Sequence, residues 1–286
     1  MGDAMTQPLF RALPLMLLAM CFVPMGDTAG KLLGAVHGAS PLYIAWSRFA
    51  LGALLVAPFA LSRDALSLLT DWRIWLRGVF LIGGIVSILT ALRTEPIANV
   101  FGAFFVGPIL SYFLSAFLLR EPISSRRTAL LFLGFAGVLL VVKPGFGMTP
   151  GLGFAVLAGL CYGSYLTASR WLAEVGRPKA LLFSQLVMGS VVLLPFGLAA
   201  IPVMTAPIAW LTLGSAVGSM LGNLLLIIAM GLVPASRLAP FVYVQLVAAT
   251  VLGWLVLGDW PDAVSIAGLA LILGSGLASL ALRADR

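Results

Sequence analysis

PLYIAWSRFALGALLVAPFAL, residues 41–61, recurs 137 positions later as PKALLFSQLVMGSVVLLPFGL, residues 178–198. Pro41 returns as Pro178, Ser47 as Ser184, Gly52 as Gly189, and Pro58-Phe59 as Pro195-Phe196. At a rise of about 1.5 Å per residue, either copy is long enough to cross the roughly 30 Å hydrocarbon core of a bilayer. The repeated unit is therefore a membrane segment.

The register extends beyond this stretch. Pro96 aligns with Pro234 at an offset of 138, which also carries Val106 to Val244, Leu114 to Leu252, Leu119 to Leu257 and Glu121 to Asp259. Thr28-Ala29 with Lys31 matches Thr167-Ala168 with Arg170 at an offset of 139. In apolar sequence a matched leucine means little, whereas matched prolines and charges do not arise easily by chance. Ten spans are predicted, at about 12–31, 41–61, 74–92, 96–119, 127–143, 151–172, 178–198, 208–231, 235–257 and 262–282. They divide into two halves of five helices, residues 1–148 and 149–286. Because five is odd, the second half enters the membrane from the opposite side, and a pseudo-two-fold axis in the membrane plane relates the halves. The expected fold is an all-α integral membrane protein of two inverted five-helix repeats.

Composition agrees. Apolar residues make up 61% of the 286 and charged residues 9%, a balance that a soluble domain of this size could not sustain without large exposed apolar patches. The net charge of +7 would suggest nucleic acid as partner in a soluble protein. Here the basic residues fall in short connections, so the expected partner is the lipid bilayer and not nucleic acid. With the N-terminus inside, the inner connections hold Arg11, Arg63, Arg73, Arg77, Arg126 and Arg177 among others, while Lys31, Arg93 and Lys143 are left outside. That asymmetry predicts both termini in the cytoplasm of a bacterial-type inner membrane. The first apolar run lacks a small-x-small cleavage site and is read as a retained helix. Cys21 and Cys161 lie in apolar segments and are read as small core residues.

The chain resembles the drug/metabolite transporter superfamily in its ten-helix EamA branch, and within that branch the YddG-type amino-acid exporters. The resemblance covers essentially the whole chain. It rests on the five-plus-five repeat, on Arg48-Phe49 in the second span, and on the ends of spans four and nine, Leu118-Leu119-Arg120-Glu121-Pro122 and Leu257-Gly258-Asp259. In the first span Pro24-Met25-Gly26-Asp27 stands where the family more often has a tryptophan-glycine pair. The resemblance implies a multi-pass carrier of small molecules.

Polar residues within spans are costly in lipid and mark a partner or a wet cavity. Those expected to line a substrate cavity are Asp27, Arg48, Asn99, Tyr112, Tyr162, Tyr165, Asn223, Tyr243 and Gln245. Asp27 has two readings: an i,i+4 ion pair with Lys31, or a carboxylate that holds an ammonium or carries a proton. Arg48 can grip a substrate carboxylate, snorkel outward or pair with Asp27. Gly214, Gly218 and Gly222 in span eight permit close helix approach. Pro24, Pro108 and Pro240 remove backbone hydrogen bonds inside spans one, four and nine and are candidate hinges. Spans five and ten carry few polar groups and are expected at the periphery, facing lipid or a second copy, which leaves a monomer or a homodimer open.

Catalysis lacks an inventory. The single histidine, His37, falls in an outer loop, and no metal-ligand cluster, phosphate-cradling loop or paired nucleophile and base is visible. No cofactor or metal is called for. The expected function is a secondary transporter that exports amino acids, including aromatic or other apolar ones, or related small metabolites by alternating access. A channel for small polar solutes and a carrier of another metabolite or drug class are the alternatives.

Overall fold

In the computed structural model the described residues are 3–120, 125–143, 147–233 and 243–281, and they are helical with no strand among them. The principal helices are α1 (Asp3–Lys31), α2 (Pro41–Ala60), α3 (Trp72–Leu92), α4 (Ile97–Leu118), α5 (Ser125–Val142), α6 (Pro150–Trp171), α7 (Pro178–Ala199), α8 (Ala206–Leu232), α9 (Tyr243–Leu252) and α10 (Ala263–Ala281). Seven of them, α1 to α4 and α6 to α8, are long and apolar enough to cross a membrane; α5, α9 and α10 contribute shorter apolar stretches.

The starts follow from local chemistry. Pro41, Pro150 and Pro178 occupy first-turn positions, where a missing N–H costs nothing. Side chains of Ser40, Asp71 and Thr149 accept hydrogen bonds from the N–H groups of Leu42, Arg73 and Leu152, which have no helical acceptor. Two helices end in π turns, Leu32–Val36 after α1, which runs past the predicted limit at 31, and Gly253–Leu257 after α9, which stops at the predicted 257. Gly258, in the left-handed region, stops the second of these.

Four antiparallel pairs make the most extensive contacts: α1 with α8, α3 with α6, α2 with α7, and α5 with α10. Their seams are glycine-lined. Gly26 and Gly218 face each other so closely that a Cβ on either would meet backbone at 2.8 Å, and Gly137 and Gly268 do the same between α5 and α10 at 2.6 Å. Small residues let helix backbones touch where lipid gives no hydrophobic drive to associate. Large apolar side chains such as Leu54, Phe59, Phe117 and Trp210 face outward. Exposed edge-on tryptophan pairs, Trp72 with Trp171 and Trp254 with Trp260, sit at opposite ends of the bundle, at the levels where amphipathic aromatic rings favour a membrane–water boundary. We call the end where α1 begins the near end and the other the far end.

Of the candidate hinges, Pro24 lies within an unbroken α1 and Pro240 lies outside the described residues. Pro108 has a visible effect: α4 is interrupted at Phe105, between Ile97–Phe104 and Val106–Leu118. Pro108 has no N–H to offer the Phe104 carbonyl four residues earlier. That carbonyl faces α6, where a Cβ on Gly159 would clash with it, and Gly163 is equally tight against Gly107. The break is thus seated on two glycines of the neighbouring helix.

This seating predicts a contrast within one residue type. Gly159→Ala should lower thermal stability in detergent by about 1–3 kcal/mol, the range for forced overpacking. Gly214→Ala, where an added Cβ meets nothing within 4 Å, should leave stability unchanged or raise it slightly. Equal effects in thermal unfolding would refute the close seating of α4 on α6.

Candidate functional site

The polar groups inside the bundle converge on a narrow, partly open cleft with room for only a few water molecules. Asp27 and Val23 of α1, Arg48 of α2, Phe80 and Gly84 of α3, Phe104 of α4, Tyr162 of α6, Ser219 and Asn223 of α8, and Gln245 of α9 line it.

At its centre Arg48 Nη1 donates to Asp27 Oδ1 at 2.6 Å, with both side chains buried. The rest of the guanidinium is also engaged: Nε donates to Ser215 Oγ at 2.8 Å and Nη2 to the Gly26 carbonyl at 2.9 Å. Ser215 Oγ in turn donates to the same carbonyl at 3.0 Å. Close α1–α8 contact at Gly26 and Gly218 brings that serine within reach. The planar fork of arginine suits such a three-sided grip.

The expected Asp27–Lys31 pair does not form. Lys31 Nζ instead donates to Asp259 Oδ2 at 2.8 Å and to the Glu95 carbonyl at 2.6 Å, at the far end. A compact ammonium is strongly hydrated and its four-carbon stem lets it reach toward water, whereas Asp27, one turn deeper, meets an arginine that accepts a dry setting. Other far-end ties are Lys143 to Asp262 at 2.8 Å and Thr149 to Glu95. The hydrogen bond from Lys143, helped by the Ser265 N–H, holds the Asp262 carboxyl well below the usual carboxylate range.

Several polar atoms in or behind the cleft have no partner. Tyr162 OH and both amide atoms of Gln245 are buried and unpaired, as is Gln185 Nε2. The Tyr162 ring packs against Phe104 at 4.8 Å and Tyr165 at 5.9 Å between centroids, giving the cleft an aromatic wall. Tyr165 lies behind that wall: its hydroxyl is 3.2 Å from Gln185 Oε1 and 3.4 Å from Asn223 Oδ1, and it can donate to one at a time. Asn223 Nδ2 donates to the Ser219 carbonyl at 2.9 Å.

Two candidates lie elsewhere. Tyr112, on α4 beyond the Phe105 break, directs its hydroxyl to Thr128 of α5 at 3.2 Å. Asn99 is not among the cleft-lining residues, although its Oδ1 is buried without a partner. The side chain of Tyr243 lies outside the described residues. Sequence reasoning overlooked Phe80, which lines both the cleft and a partly open, mainly apolar cavity of about 960 Å³ at the near end, between α3, α4 and α6. It also misplaced Arg77. Counted with the cytoplasmic connections, Arg77 is in fact 1% exposed on α3; its position inside the predicted span 74–92 was the available signal.

An all-helical bundle, among its described residues, with several membrane-crossing helices and polar groups gathered on an internal cleft has the form of a multi-pass membrane transporter. The chain belongs to the EamA-like transporter family, whose profile matches residues 10–143 and again 149–280. It is similar to the S-adenosylmethionine uptake transporter of Rickettsia prowazekii (strain Madrid E), 23% identical over 266 residues, which covers 91% of this chain and 89% of that one. The protein of the same name in Rickettsia bellii (strain RML369-C) is 25% identical over 268 residues, covering 91% and 90%. A solved crystal structure matches with a TM-score of 0.71 at 20% identity over 96% of this chain and 99% of that one, a likeness of fold. These relatives are named for S-adenosylmethionine uptake and not for amino-acid export.

The ion pair makes a stability prediction. Asp27→Leu and Arg48→Met should each destabilise by about 3–5 kcal/mol, because each leaves a buried charge alone, and the double variant should recover most of that loss. Lys31→Gln should show no such coupling to Asp27→Leu. Thermal unfolding of the three single variants and the two doubles reads this out, and coupling of Asp27 to Lys31 in place of Arg48 would overturn the pairing.

Proposed function

We propose that this protein is a secondary carrier of amino-acid-headed metabolites, with S-adenosylmethionine the first candidate substrate, working by alternating access. The observation that carries the reading is the Asp27–Arg48 pair set in a cleft beside the unpaired Tyr162 hydroxyl and Gln245 amide. Opening a buried ion pair is costly unless both charges find new partners. A zwitterionic head group supplies both, its ammonium to Asp27 and its carboxylate to Arg48. The aromatic wall of Phe104 and Tyr162 suits an aromatic or cationic remainder, and the names of the Rickettsia relatives support that choice. The wall equally favours a second reading, export of aromatic or other apolar amino acids.

In this proposal α5, α9 and α10 cross the membrane with the seven longer helices, and residues 1–148 and 149–286 form two inverted halves. The helix pairing supports it: α1 with α8 and α6 with α3 exchange under such symmetry, while α2 with α7 and α5 with α10 map onto themselves. The halves rock about the cleft, which is too narrow as it stands for any metabolite, with the broken α4 as one hinge. Basic residues at the near end, including exposed Arg63 and Arg126, favour a cytoplasmic near end with both termini inside a bacterial inner membrane.

Two measurements test this. Proteoliposomes should exchange labelled S-adenosylmethionine, with competition from S-adenosylhomocysteine but not from methylthioadenosine, which lacks both head-group charges. Equal competition by methylthioadenosine would sink the zwitterion reading, and phenylalanine transport without S-adenosylmethionine transport would select the second one. On a background free of Cys21 and Cys161, Val203→Cys should label from outside intact cells and Arg126→Cys should not; the reverse pattern would invert the orientation.

A further inference from the structure

Among the described residues Arg77 is the other buried guanidinium, and its surroundings differ from those of Arg48. Nε donates to Ser169 Oγ at 2.8 Å, Nη1 to the Leu181 carbonyl at 3.3 Å and Nη2 to Tyr165 OH at 3.2 Å, with the cation 5.0 Å from the Tyr165 ring centroid. All three acceptors are neutral, and among the described residues no carboxylate pairs with it. A guanidinium has five N–H groups, so two remain. A full positive charge buried in a membrane protein is expensive without a counter-charge. The site also contains room. Arg77 lines a small, largely enclosed cavity between α3, α6, α7 and α8, bounded by Ser169, Pro178, Leu181, Ile227, Met230 and Gly231. Its open part takes only a body about the size of one water molecule. Pro178 is flanked by the exposed cations Arg177 and Lys179; the exposed Glu174 adjoins Ala173 on the same rim.

We propose that Arg77 holds a monatomic anion, chloride in the cell, in this near-end cavity, distinct from the substrate cleft. The size of the space selects against phosphate, sulfate and carboxylates. The wall is otherwise apolar but for Ser169 Oγ, which already accepts from Arg77 and keeps its own proton as a donor toward the anion. Because Arg77 joins α3 to α6 and α7, and its Tyr165 contact continues to Asn223 at the cleft, occupancy would stiffen the near end without adding a protein carboxylate.

The test is thermal unfolding of the full-length protein in detergent at constant ionic strength, with chloride exchanged for gluconate. Chloride should raise the melting temperature by a few degrees, saturably in the millimolar range, and bromide should substitute while sulfate should not. Arg77→Gln should abolish the shift. Ala173→Leu guards against a variant that fails to fold: it keeps Arg77, enlarges a side chain that lines the cavity, and should melt at the same temperature in gluconate and in chloride. A wild-type protein indifferent to chloride, or a chloride shift that survives Ala173→Leu, would overturn the proposal.

Discussion

A carboxylate and a guanidinium 2.6 Å apart and buried in the middle of a helix bundle constrain everything around them, since neither can be left without a partner. Arg48 needs acceptors on three sides. It finds them only because α1 and α8 lie backbone against backbone, placing the Gly26 carbonyl and Ser215 Oγ together on its far side. The glycines of that seam are therefore electrostatic devices as well as packing devices. A side chain at Gly218 would push α8 off α1 and withdraw an acceptor from a buried cation.

The same logic orders the rest of the molecule by depth. At the far end lysines meet carboxylates across helix ends: the exposed Lys143–Asp262 pair is weak on its own and salt-screened, whereas Lys31 is nearly buried against Asp259 and the Glu95 carbonyl. In the interior, polar contacts are made by arginine, tyrosine and amide groups on named partners. Among the described residues, three of the seven unsatisfied side-chain atoms lie on the cleft wall, the Tyr162 hydroxyl and the whole Gln245 amide. Unused hydrogen-bonding capacity at nearly complete burial is costly in a fold with no role for it, and it is what a site awaiting a ligand must keep.

Much of this could be read from the chain. The repeated stretch at 41–61 and 178–198 fixed helices that pair with each other as α2 and α7, and in-span polar residues pointed to the cleft through Asp27, Arg48, Tyr162, Asn223 and Gln245. What failed had a physical cause. The i,i+4 rule that suggested Asp27 with Lys31 describes solvated helix surfaces; in a bundle, the choice among basic partners is made by depth and by neighbouring helices. Tyr112 was misjudged because Pro108 interrupts α4 at Phe105, and the face a residue presents cannot be extrapolated through such a break. Arg77 lay within a predicted span but was grouped with the cations of the adjoining connection, since nothing in one-dimensional spacing says that Ser169, Leu181 and Tyr165 will surround it. Phe80, one apolar residue among many on α3, had no distinguishing mark at all.

The mutual neutralisation of Asp27 and Arg48 has an electrical consequence. Moving a unit charge through a membrane potential is worth about 2.3 kcal/mol per 100 mV, so a carrier whose central site bears no net charge reorients empty without feeling the voltage. A zwitterion that exchanges into the pair keeps that sum at zero, and its passage would be electrically silent. A substrate with an additional fixed cation, such as a sulfonium, would shift one positive charge per cycle and be drawn toward an interior-negative compartment, with no coupling ion required for it to accumulate.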